Sequence, residues 1–216
     1  MTDLIQLVSA VTRHVASVER DGQPARVVRA RRTYPADIND VWDACTNPER
    51  LPRWFLPVSG DLRLGGRYQL EGNAGGVIER CEEPSLLAVT WEYGGEVSWL
   101  EVRLAESQDG TTLELDHTAG VDSDRWIEFG PGAVGVGWDM TLLGLGLHLE
   151  GGAPVDPAAA QELMNSPEGI QALTFASEEW GRASVASGER PEVAQAAAAR
   201  TTAAYTGVEH SPSRID

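Results

Sequence analysis

At 216 residues the chain is long enough to bury one substantial core with appendages. Its formal charge of −16, from 17 basic and 33 acidic residues, makes phosphate backbones and anionic lipid surfaces poor partners, so neither nucleic acid nor membrane binding is expected. No apolar run reaches the length of a membrane span, and the start MTDLIQLVSAVTRHV lacks the basic head, apolar centre and cleavage site of a secretory signal, which predicts a cytoplasmic protein.

From Asp3 to Glu19 the apolar residues Leu4, Leu7, Val8, Val11, Val15 and Val18 recur at helical spacing, and Asp21-Gly22 supplies a stop. Residues 1–25 therefore read as an N-terminal amphipathic helix. Arg26 to Tyr34 reads as a first strand ended by Pro35. Asp37 to Thr46 has a capping residue and an apolar face of Val41, Trp42 and Cys45, and Asn47-Pro48 opens a second short helix, PERLPRWF.

The period then changes to two. Five strands are predicted: 66–71, 77–82, 86–93, 97–105 and 111–118, separated by GNAGG, EPS, GGE and SQDG. Alternation assigns one inward face to Tyr68 and Leu70, to Val77, Glu79 and Cys81, to Leu87, Val89 and Trp91, to Leu100, Val102 and Leu104, and to Leu113, Leu115 and His117. Trp99 and Glu101 then point outward. Cys45 and Cys81 have no metal-ligand spacing, and reduced thiols are the expected state.

Phe129 to Glu150 is the longest run with helical spacing, started by Gly130-Pro131 and stopped by Gly151-Gly152. One stripe carries Val134, Trp138, Leu142, Leu145 and Leu149; a second, nearly opposite, carries Val136, Met140, Leu143 and Leu147. Gly135, Gly137, Gly144 and Gly146 cost about 1 kcal/mol each against alanine, so they either admit a close neighbour or leave room for a ligand. Asp156-Pro157, Ser166-Pro167 and Arg190-Pro191 start three further helices, a C-terminal extension over 153–210 before a disordered tail at 211–216. This extension, the N-terminal helix or the partner in a homodimer would cover the second stripe.

The blocks RRTYPADINDVWDACTNPERLPRWF, GDLRLGGRYQLEG, EEPSLLAVTWEYGG, GTTLELDHT and FGPGAVGVGWDMTLLGL resemble, in order, signatures of the SRPBCC superfamily. The branch they are most similar to is the bacterial homologues of the activator of the heat-shock-protein ATPase. The resemblance covers about residues 26–152 and implies an α+β helix-grip (START-like) fold. In that fold a curved antiparallel sheet wraps a long C-terminal helix, here with extra helices at both ends. The fold hosts lipid carriers, hormone receptors, cyclases and co-chaperone domains, so it constrains activity weakly.

The resemblance also implies a pocket between sheet and long helix for a small hydrophobic molecule. Tyr68, Glu79 and His117 on the inward face, among Leu87, Trp91, Leu113, Leu115 and Trp138, match the composition of such a site. Trp54, Phe55 and Trp126 are placed by the resemblance near a pocket mouth, as a binding rim or as packing. Glu79 and His117 either share the cavity and do acid–base work, or do not. Glu79 can instead pair with Arg67 or Arg103, or lie in solvent if the register is off by one, and His117 can be a hydrogen-bonded core histidine. Three readings follow: ligand binding, a cyclase or dehydratase using Glu79 and His117, and an adaptor for a chaperone ATPase. No dinucleotide or phosphate loop, no zinc spacing and no nucleophile elbow is present, so neither cofactor nor metal is expected.

Overall fold

The computed structural model describes residues 4–121, 124–152, 154 and 156–207. Eight strands make one antiparallel sheet: β1 (Thr12–Arg20), β2 (Gln23–Tyr34), β3 (Val58–Gly60), β4 (Arg67–Leu70), β5 (Gly75–Glu82), β6 (Leu86–Tyr93), β7 (Glu96–Ser107) and β8 (Gly110–Gly120). Their order is β1-β2-β8-β7-β6-β5-β4-β3. The described helices are α1 (Leu4–Ser9), α2 (Ile38–Thr46), α3 (Asp124–Phe129), α4 (Gly132–Gly151), α5 (Pro157–Asn165), α6 (Pro167–Ala186) and α7 (Pro191–Thr206). The expected helix-grip arrangement is present: the curved sheet holds α4 against its inner face, and Leu142 and Leu145 of α4 join Leu113 and Leu115 of β8 in one core.

The N-terminal segment differs from the expected helix. Only Leu4–Ser9 is helical, and Thr12–Arg20 pairs residue for residue with β2. Asp21 and Gly22, read as a helix stop, are the two left-handed residues of a tight hairpin, with φ of 52° and 75°. That is the primed turn which the Asp-Gly pair favours between strands. Val8, Val11 and Val15 fit a helical stripe as well as a strand entered at Val11, and pairing along the whole of β2 decides between them. PERLPRWF likewise yields only a one-turn 3₁₀ helix, Leu51–Arg53, since Pro52 cannot donate to a longer ladder.

In β5 the expected register fails. Ile78 pairs with Val89 while Arg80 pairs with Ala88, so Glu79 is the extra residue of a β-bulge. Before the bulge the even-numbered Ile78 faces inward; after it the odd-numbered Cys81 does. Glu79 is thereby exposed, and Val77 belongs to the other side.

Gly135, Gly137, Gly144 and Gly146 of α4 admit neighbouring side chains and backbone, and none of them lines the cavity between sheet and helix. A Cβ on Gly135 would lie 2.4 Å from the Trp180 indole, and one on Gly146 would lie 3.0 Å from the Arg32 guanidinium. The three expected C-terminal helices form, with Asp156 and Ser166 capping α5 and α6. Helix α6 packs on α4, α1 and β1, and Val136 and Leu143 of the second stripe are buried while Leu147 stays exposed. The stripe is covered within the chain, so a dimer is not needed to bury it. The segment expected to be a disordered tail lies outside the described residues. No described helix is long and apolar enough to cross a membrane.

Candidate functional site

Strands β4 to β8, α4 and the segment between α2 and β4 enclose a cavity of about 190 Å³. Sheet register builds its wall. Ile78, Val89 and Leu100 are cross-strand neighbours, and so are Leu87, Val102 and Leu115, so two apolar rows run across the sheet beneath α4. From the helix, Trp138, Leu142 and Leu145 close the space.

Of the residues expected to contact a ligand, Tyr68, Leu87, Trp91, Leu113, Leu115 and Trp138 line this wall. Trp54 and Phe55 line it too, their rings stacked with centroids 5.6 Å apart. Trp126 does not: it sits on α3 beneath the Arg26 guanidinium, 4.7 Å from its ring centre. Sequence reasoning missed Ile78, hidden by the bulge, and Val58, Leu62 and Arg63, which come from a loop and a three-residue strand with no usable period. Cys45 also lines the cavity, and burial pushes its thiol up to about 12, so it stays protonated.

The hydroxyls in the wall are already committed. Tyr68 Oη donates to the Thr90 carbonyl at 2.8 Å, Thr46 Oγ1 to Trp42 at 2.8 Å and Thr141 Oγ1 to Gly137 at 2.9 Å. The interior therefore presents an apolar surface with no spare hydroxyl donor, the composition of a site that sorts ligands by shape and hydrophobicity.

His117 lies on the inner face behind Trp91 and Trp138. Trp138 Nε1 donates to its Nδ1 at 3.0 Å, and its Nε2 is 2.9 Å from Ser98 Oγ. An indole nitrogen can only donate, so Nδ1 must be bare and the proton sits on Nε2, directed at Ser98. Ser98 Oγ passes its own hydrogen to the Trp91 carbonyl at 3.1 Å. The imidazole is buried, and desolvation lowers its pKa to about 4. It is a neutral, fully bonded core histidine that fixes the Trp138 ring.

Glu79 is on the opposite face. Its Oε2 accepts from Arg20 Nη2 at 3.1 Å, and the Arg20 guanidinium also stands 4.2 Å from the centre of the Trp99 ring. Of the alternatives open for Glu79, a cavity shared with His117 is overturned by the bulge, and a register off by one, with the carboxylate outward, is what is found. The expected ion pair of Glu79 with Arg67 or Arg103 is not formed either; Arg67 takes Glu92, and Arg103 takes Glu101, Glu114 and Asp116.

A second buried polar group occupies the other side of α4. Asp139 Oδ2 accepts from Arg13 Nε and from Trp180 Nε1, both at 3.0 Å, while Oδ1 is buried without a partner. Burial pushes this carboxyl up to about 7, against the pull of Arg13. The group ties β1, α4 and α6 together, and none of Arg13, Asp139 and Trp180 lines the cavity.

The family model for activator of Hsp90 ATPase homolog 1-like proteins matches residues 35–150, more than half of the chain. The chain belongs to this family. Two structures of CalU16 from Micromonospora echinospora are similar to it: a crystal structure at 35% identity and TM-score 0.65, covering 83% of this chain and 99% of that one, and a solution NMR structure at 38% identity and TM-score 0.66, covering 82% and 97%. DynU16, described as a putative protein in the dynemicin biosynthetic locus, shares the fold at 23% identity and TM-score 0.53, covering 59% of this chain and 48% of that one. None of the curated proteins matches. The CalU16 likeness covers more of the chain than residues 35–150, so it includes part of what surrounds the family domain.

Proposed function

We propose that the protein binds one small hydrophobic molecule in the cavity between sheet and α4. The observation that carries this reading is the half-open apolar space of about 190 Å³ whose hydroxyls all donate to backbone carbonyls. A sealed core would have filled that volume, because interiors otherwise pack to crystal-like density. The finer form of the reading is a metabolite or polyketide, classes that the fold accommodates in other members. Burial of an alkyl or aromatic body returns about 0.8 kcal/mol per methylene, so an eight-carbon ligand gains roughly 6 kcal/mol before the cost of association is subtracted. Millimolar or weaker dissociation constants are therefore expected for simple probes, and tighter ones for a ligand that fits the walls.

Native mass spectrometry of freshly purified protein, followed by extraction of whatever co-purifies, tests the proposal. A stoichiometric apolar compound supports it. An empty protein that also shows no thermal shift with a panel of hydrophobic metabolites contradicts it and favours an adaptor role.

A further inference from the structure

Resting on that reading of the cavity, we propose that the ligand is an amphiphile with a single anionic head, a carboxylate or phosphate, held at the mouth by Arg63. Two observations lead there. The interior offers an anion or other acceptor no strong donor: the hydroxyl hydrogens of Thr46, Tyr68 and Thr141 are committed, and the thiols of Cys45 and Cys81 are weak donors. An anionic group inside would lose its water without replacement, so an anionic head has to lie at the mouth.

Arg63 is the one charged side chain among the described residues that line the cavity, and it lies where the cavity meets solvent, 79% exposed. Its Nε donates to the Asp61 carboxylate at 2.8 and 2.9 Å, which leaves Nη1 and Nη2 as an unused fork. The other arginines of the neighbouring segments are committed. Arg50 takes Asp40, Asp43 and His148, Arg53 takes the Gly152 carbonyl, and Arg67 takes Glu92. Leu62, beside Arg63 in the chain and also in the cavity wall, is 39% exposed, an apolar edge over which a chain can leave the cavity before its head reaches the guanidinium. A planar fork with two free donors matches a carboxylate or phosphate edge, whereas an alcohol uses one donor and an ammonium is repelled.

The test is calorimetric titration of the full chain with octanoate, octyl phosphate, 1-octanol and octylamine below their micellar concentrations. The two anions are expected to bind about 3- to 10-fold tighter than octanol, a modest margin because the guanidinium is exposed and shared with Asp61. Arg63→Gln should erase the margin by weakening the two anions more than octanol, and Arg63→Lys should keep part of it. The ranking of octanoate against octyl phosphate names the head group. If octanol or octylamine binds as tightly as the anions, or the margin survives Arg63→Gln, the head-group assignment is overturned and the cavity reading stands. If none of the four binds, the cavity reading falls and the head-group assignment falls with it.

Discussion

Helix α4 carries two adjacent residues, Trp138 and Asp139, whose surroundings solve the same problem in different ways. Toward the sheet, Trp138 is held by a neutral chain, indole to imidazole to hydroxyl to carbonyl, with every donor satisfied. Toward the C-terminal helices, Asp139 is held by an ion pair with Arg13 and an indole bond from Trp180, and one of its oxygens has no partner. The neutral arrangement leaves space beside it and the ionic one leaves none: Trp180 presses onto Gly135, while Trp138 forms part of a cavity wall. One face of the helix fastens the chain together, and the other is kept apolar and open.

The largest effect should come from breaking the fastening side. Asp139→Leu strands a buried guanidinium and should cost about 3–5 kcal/mol, which for a chain of this size is a fall of roughly 10 °C in melting temperature. Octanol affinity measured below the transition should change little, since no residue of the cavity wall is touched. A large loss of affinity would show that the two faces are coupled. His117→Leu comes next. It leaves the Trp138 N–H without its acceptor and removes the N–H that Ser98 Oγ accepts, at about 1–3 kcal/mol, and because Trp138 is then free to turn, octanol affinity should fall severalfold.

The pH dependence separates the two groups by sign. His117 has its folded pKa lowered to about 4, so between pH 6.5 and 4 the unfolded chain binds more protons, and the stability it contributes is full above 6.5 and lost as pH falls. Asp139 has its folded pKa raised toward 7, so between pH 7 and about 4 the folded chain binds more protons, and stability from this group grows as pH falls. Each slope is at most about 1.4 kcal/mol per pH unit. Denaturant melts of His117→Leu should show the Asp139 slope, with more stability at pH 5 than at pH 7 relative to wild type. Asp139→Asn should show the reverse. Parallel curves for wild type and both variants would contradict the assignment of the two groups.

The smallest effect on stability, about 1 kcal/mol, is expected for Leu87→Trp, because the added ring enters existing space. Its effect on binding should be the opposite in scale, a loss of octanol affinity of tenfold or more. Retained affinity would place the ligand elsewhere.

Much of the cavity wall could be read from alternation alone, because β6, β7 and β8 are regular and each inward residue repeats at a period of two. Where the reading failed, one extra residue was the cause. The bulge at Glu79 reverses the faces of β5, and nothing in VIERCE marks it. The segment 12–20 failed for a different reason. Its apolar spacing serves a helix and a strand equally, and the choice is made by β2, distant in the sheet until the Asp-Gly turn folds it back. The Arg13–Asp139–Trp180 group was invisible because its members are 126 and 41 positions apart and none is unusual in its own segment.

In the proposed function the sheet side of α4 holds the ligand and the side facing α6 is structural. The most direct measurement is an ¹H–¹⁵N NMR titration with naphthalene, followed at the indole N–H resonances. Trp138 of α4 donates within a buried network on the sheet side, and Trp180 of α6 donates to Asp139 within another. Saturable shifts of Trp138, together with Trp91 and Trp54, and a stationary Trp180 are the predicted result. Shifts centred on Trp180, or no saturable shift at Trp138 up to the solubility of the probe, would contradict the account.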